Sequence, residues 1–94
     1  MDTLIYNNDG NQCGRSRNLR GMLDRARTCG GVKKIEVVKI QFGKAMVTAY
    51  YKNGFKAVTD FASFGHAVDW ARDKRDRRGT WFEGCDVTIR TDLP

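Results

Sequence analysis

The dipeptide Asn53-Gly54 constrains this chain more than any other feature, because a two-residue type I′ turn needs positive φ at both central positions and these residue types tolerate it. On either side lie strand-like runs, Ala45 to Lys52 before it and Phe55, Ala57, Thr59 and Phe61 after it. Alternation with a period of two assigns one side of a strand to the core, so the inner side of the returning strand is set by its own residues. The other elements have to be arranged around this hairpin.

Immediately upstream, Lys33 to Phe42 carries Ile35, Val37, Val38, Ile40 and Phe42. The change of phase between Val37 and Val38 predicts either a bulge or a strand covered on both faces, and Gly43-Lys44 is a tight connection into the hairpin. From Ser16 to Cys29, the residues Leu19, Met22, Leu23, Ala26 and Cys29 recur at three- and four-residue spacing, which predicts an amphipathic helix. Ser16 is its expected N-cap and Gly30-Gly31 its stop. Ser63 is placed to cap a second helix running to about Arg78 and ending at Gly79, with Phe64, Ala67, Val68 and Ala71 as its buried stripe and Trp70 at the border.

Thr3 to Asn7 reads as a short first strand, followed by a turn-rich stretch of Asn8, Asp9, Gly10, Asn11 and Gly14. Trp81 and Phe82 open a last extended segment in which Cys85, Val87 and Ile89 alternate with polar residues. The expected order is β-α-β-β-β-α-β, an α+β fold in which an antiparallel sheet carries both helices on one face. With 94 residues there is room for one core, so residues 1–94 are expected to form a single domain.

Composition matters most for what it rules out. No run approaches the roughly 20 apolar residues of a membrane span, and the N-terminal residues lack the pattern of a secretory leader. Three cysteines, Cys13, Cys29 and Cys85, are odd in number and widely spaced, which argues against a disulfide framework and suits a reducing cytoplasmic setting. They lack the close pairing of zinc ligands, so neither metal nor cofactor is expected.

Catalytic constellations are equally poorly provided for. His66 falls in the first turn of the second helix, where the positive dipole end disfavours an imidazolium, and no neighbour is placed to orient its ring. Asp69, Asp73 and Asp76 alternate with Arg72 and Arg77 at the spacing of helix-surface ion pairs. Gly30-Gly31 lacks the Lys-Ser/Thr ending of a phosphate loop, and Gly10 and Gly14 complete no dinucleotide fingerprint. A protein that binds without catalysis is the expectation.

Charge supplies the positive signal. The formal charge is +6 at neutral pH, and the segment from Cys13 to Lys34 holds seven cations against Asp24 alone, which accounts for all of it. The remaining ten basic and ten acidic residues cancel. Although Lys74 to Arg78 is also rich in cations, it ends a helix, where the negative dipole end favours them. On the first helix, by contrast, Arg17, Arg20 and Arg27 are expected on one stripe that only Asp24 interrupts, with Arg15 at its entry and Lys33 and Lys34 beyond its end. These six cations, too many to be neutralised within the helix, are the candidate contact residues for phosphates or an acidic protein surface.

Two resemblances bear on the partner. From Ser16 to Arg78 the α-β-β-β-α order, with the Asn53-Gly54 hairpin leading into a helix carrying Ala67 and Ala71, resembles the double-stranded-RNA-binding domain. Gly43-Lys44 is shorter than that family's first hairpin loop, and Phe64, Gly65 and His66 stand where it has lysines. What the resemblance implies is therefore limited to Arg17 and Arg20 as minor-groove contacts. The stretch KIEVVKIQFGKAMVTAYYKNGFKAVTDFASFGHAVDWARDK is similar to the strand-hairpin-helix cores of small phage and mobile-element accessory proteins, including anti-CRISPR inhibitors. That similarity implies an inhibitor that acts without catalysis by covering a nucleic-acid groove or a subunit surface of a host nucleoprotein complex; the chain itself is expected to be a monomer or a homodimer.

Overall fold

In the computed structural model, which describes residues 2–91, six strands form one sheet in the order β2-β1-β5-β4-β3-β6. The elements are β1 (Thr3–Tyr6), β2 (Gln12–Ser16), α1 (Arg20–Thr28), β3 (Val32–Lys39), β4 (Ala45–Tyr51), β5 (Lys56–Phe61), α2 (Phe64–Asp76) and β6 (Asp86–Arg90). The expected single domain extends at Met1 and at 92–94 outside the described residues. The fold class is α+β, and both helices lie against the sheet face built from the alternating apolar residues.

That inner face follows from cross-strand register. Ala57 of β5 stands opposite Ala49 of β4 and Ile5 of β1, Thr59 opposite Val47 and Thr3, and Phe61 opposite Ala45. Ile35 and Val37 of β3 continue the same rows, and all of these residues are buried. Small side chains dominate the central strands, which lets the helices approach closely; Met22 and Ala26 of α1 and Ala67 and Ala71 of α2 fill the space. Phe61, Trp70 and Phe82 pack as an aromatic group beneath α2, with ring centroids 5.4 and 6.1 Å apart.

The Asn53-Gly54 turn joins β4 to β5, but not as the expected two-residue type I′ turn: only Gly54 is left-handed, at φ 94°, and Tyr51 N–H donates to the Phe55 carbonyl at 2.9 Å across a three-residue loop of Lys52, Asn53 and Gly54. A side chain at Gly54 would meet the Asn8 amide at 2.6 Å, so the β1–β2 connection rests directly on this turn. Ser63 caps α2, its hydroxyl accepting from the His66 N–H at 3.3 Å. The phase change expected near Val38 is resolved differently: β3 ends at Lys39, and its register shift lies between Val32 and Lys34. Phe42, expected inside that strand, sits in a tight turn at Gln41–Gly43 with φ 62° and is 92% exposed.

Two further differences have physical causes. The stretch read as turn-rich contains β2, an edge strand paired antiparallel with β1 across a bulge. Asn and Gly mark the turn between these strands, but β2 itself is polar and exposed, so it carries no periodic apolar signal. The last strand runs parallel to β3, which makes the sheet mixed. A helix of 13 residues spans about 20 Å, enough to carry the chain from the end of β5 back to the end where β5 began. A strand following such a crossover runs parallel to β5, and hence also to β3.

The start of α1 differs most. Ser16 belongs to β2 rather than to the helix, and α1 begins four residues later. Arg17, Asn18 and Leu19 make the corner, held by a chain of hydroxyls. Thr3 Oγ1 donates to the Asn18 carbonyl at 2.7 Å, so its one proton is used and Thr59 Oγ1 donates to it, at 2.6 Å, inside the core. Ser16 still serves the helix from its strand, its Oγ accepting from the Gly21 N–H at 3.1 Å, while Asn18 Oδ1 accepts from Arg20 N–H at 2.8 Å. Residue 21 must be glycine for this, because a Cβ there would lie 2.5 Å from Ser16 Oγ. Further along, the buried Tyr51 hydroxyl donates to the Met22 carbonyl at 2.6 Å and ties α1 to β4.

Gly21→Ala raises intrinsic helix propensity by about 1 kcal/mol, but it forces Ser16 away and breaks the cap. The expected net outcome in chemical denaturation is a loss of about 1–2 kcal/mol. Burial, reinforced by the neighbouring Cys29 and offset by Arg25, raises the Tyr51 phenol well above its ordinary value. The folded protein thus holds this proton more tightly than the unfolded chain, and stability falls as pH rises above about 10. Tyr51→Phe is expected to cost about 1 kcal/mol at neutral pH and to flatten that alkaline loss, as read by denaturation midpoints across pH.

Candidate anion-binding surface

The cationic segment is distributed around α1 by the local structure just described. Because the helix starts at Arg20, only Arg20 and Arg27 of the six candidates lie on it, seven residues apart and therefore on one face, with Asp24 between them. Arg17 occupies the corner before the helix, and Lys33 follows it at the register shift of β3. All four cations are exposed, and none has a carboxylate within 4.0 Å among the described residues.

The expected common stripe is thereby divided, and two of its six members are drawn off. Arg15 points to the open side of the edge strand and pairs with Asp2 at 2.8 Å, across the β1–β2 ladder. Its guanidinium hydrogen bond and charge hold the Asp2 carboxyl below the usual carboxylate range, with a smaller contribution from Arg17. Lys34 alternates to the sheet face opposite the helices, where its ammonium sits 4.8 Å from the centre of the Tyr50 ring. Arg25, the remaining helix cation, is half-buried, and its guanidinium reaches toward Gly14 of β2.

Residues from elsewhere in the chain pack against the end of α1. Gly31, at φ 108°, closes the end of α1, and a Cβ there would lie 3.5 Å from Lys52 Cε and 3.4 Å from the Trp81 carbonyl. Lys52 N–H donates to the Gly31 carbonyl, and Val32 N–H to the Trp81 carbonyl. The C-terminal end of α1 is thus flanked by Lys52 and by the backbone of Trp81, a residue that is 53% exposed. Sequence spacing offers no reason to join 31, 52 and 81, which only the sheet brings together.

No protein-family model, no curated protein and no solved structure matches this chain.

The second basic run is occupied locally except at Arg78, which is exposed. Arg77 pairs with Asp73 at 2.8 Å, Arg75 with Asp76 at 2.9 Å, and the Lys74 ammonium lies 6.0 Å from the Phe82 ring. The open face of the sheet carries a second lysine–tyrosine contact, Lys56 over Tyr6 at 5.5 Å, within a shallow groove of about 670 Å³ that also includes Leu4, Met46 and Val58.

His66 lines a small apolar depression with Phe61, Ala62, Ser63 and Trp70, and no cysteine or carboxylate borders it. Among the described residues, no three of the types that ligate metals come together, and no helix is long and apolar enough to cross a membrane. Cys29 and Cys85 are buried, and burial pushes the Cys85 thiol up. Cys13 is exposed, at the bulge of the edge strand. A thiol reagent is expected to label one cysteine rapidly in the folded protein and the other two only on denaturation, with the fast phase absent from Cys13→Ser.

Proposed function

We propose that this chain is a non-catalytic binding protein that docks onto the anionic surface of a host nucleoprotein complex or nucleic acid through Arg17, Arg20, Arg27 and Lys33. The observation that carries the reading is the pattern of ion pairing. Arg17, Arg20, Arg27 and Lys33 are exposed with no carboxylate within 4.0 Å among the described residues, and Asp24 is the only acidic residue between Cys13 and Lys34. Guanidinium groups in such a setting offer charge-assisted hydrogen bonds to phosphates or carboxylates, and an unneutralised cluster steers anionic partners over a Debye length. The apolar setting of His66 supports binding rather than catalysis. Inhibition of a phage-defence machine, in the manner of an anti-CRISPR protein, is the specific role we favour.

A second reading, a stand-alone domain for double-stranded nucleic acid, is favoured by one observation. Helices α1 and α2 flank the antiparallel β3-β4-β5 unit on the same face, the order implied by the resemblance to the double-stranded-RNA-binding domain. Arg17 and Arg20 would then contact the minor groove.

Titration of a labelled duplex at several salt concentrations separates the two. If duplex is the partner, Arg17→Ala/Arg20→Ala/Arg27→Ala weakens binding and reduces the salt slope by about 0.9 for each phosphate no longer neutralised. If a nucleoprotein subunit is the partner, free duplex binds negligibly and a purified host complex retains the wild-type protein, but not the triple variant, after nuclease treatment. An unaltered interaction in the triple variant with both partners would overturn the proposal.

A further inference from the structure

The two edges of the sheet are built differently. At one end, β2 is interrupted by a bulge, carries Gly14 at its centre and has Arg15 tied to Asp2, all features that discourage pairing with another strand. At the other end, β6 pairs with β3 over five residues without a register shift, and no described strand lies beyond it. Its outer row of backbone groups is a template for a further strand.

The sequence of that edge, Asp86-Val87-Thr88-Ile89-Arg90, is complementary to itself when reversed. Val87 and Ile89 stand opposite Ile35 and Val37 on the helix-covered face and remain half-buried; Asp86, Thr88 and Arg90 are exposed on the open face. Neither Asp86 nor Arg90 has an ion-pair partner within 4.0 Å among the described residues.

We propose that β6 is a dimerisation edge, at which two copies of this chain join antiparallel about a two-fold axis at Thr88. In that register Asp86 of each copy faces Arg90 of the other, Val87 faces Ile89, and Thr88 faces Thr88. Opposite charges and β-branched residues directly across from one another are the favourable cross-strand pairs. A shift by one residue sets the apolar row against the open face. A shift by two keeps the faces but breaks both ion pairs, so one register satisfies burial and charge together. The interface is isologous, as a closed dimer requires. Directly opposed residues share a face, so both helix layers lie on the same side of a twelve-stranded sheet, with the two α1 segments toward its outer ends.

The test is association measured by sedimentation over a range of concentrations, with circular dichroism confirming that each variant is folded. The wild-type protein is expected to self-associate reversibly. Asp86→Arg and Arg90→Asp each place like charges opposite one another twice per dimer, and each is expected to weaken association by about tenfold or more. Mixing the two single variants in equal amounts brings every cation opposite an anion and is expected to restore association to near the wild-type level. The double exchange Asp86→Arg/Arg90→Asp does the same within one chain and serves where a single variant fails to fold, since Asp86 also neighbours Lys34 in β3. A wild-type protein that stays monomeric, single variants that associate as well as wild type, or folded singles whose mixture shows no recovery would overturn the proposal.

Discussion

A nine-residue helix rich in arginine has little apolar surface with which to hold itself against a sheet, and that constraint shapes this structure. Met22 and Ala26 are its only fully buried positions, with Leu19, Leu23 and Cys29 packed beside them, and hydrogen bonds inside the core fix where the helix sits. The Tyr51 hydroxyl fixes the middle of α1 through the Met22 carbonyl, while the Thr59–Thr3–Asn18 chain fixes its entry. Buried hydroxyls left unpaired would cost more than they contribute when paired, so these contacts specify one position for the helix. Among the described residues no buried side-chain polar atom lacks a partner.

Attaching α1 through its inner side leaves the outer side free to carry charge. Arg20 and Arg27 stay in solvent because their helix needs no salt bridge to remain in place, and the corner at Arg17 is held by its neighbours' backbone and hydroxyl groups. The contrast with α2 is informative. That helix is longer, buries Ala67 and Ala71 in the core and packs the Trp70 ring on Phe61 and Phe82; its three cations are equalled in number by Asp69, Asp73 and Asp76, and Arg75 and the capping Arg77 pair with two of these. One helix anchors the sheet, and the other presents the unbalanced charge.

Much of the framework was legible in the chain. Asn53-Gly54 marked the central hairpin because glycine accepts the left-handed conformation that Gly54 adopts, although the loop has three residues and Asn53 is not left-handed, and Ser63 with the Phe64–Ala71 pattern determined α2. The excess of charge between Cys13 and Lys34 could be counted directly. Helical spacing from Ser16 onward overstated α1, because Ser16 is a good cap by residue type yet acts here from an adjacent strand, through a hydrogen bond to Gly21. Strand β2 left no signal, since a polar edge strand has no buried side to mark with a period.

Where the individual cations point was settled only by tertiary structure. Alternation in β3 and the ladder between β1 and β2 turn Lys34 and Arg15 away, toward Tyr50 and Asp2. The closing of β3 against β4 and the loop before β6 brings Lys52 and the Trp81 carbonyl against Gly31 at the end of α1. By itself the sequence determined the hairpin, the two helices and the place along the chain where charge accumulates, because these depend on residue type and local period. Direction of the last strand, the start of α1 and the membership of the cationic surface were decided by packing, because each depends on contacts between residues far apart in the chain.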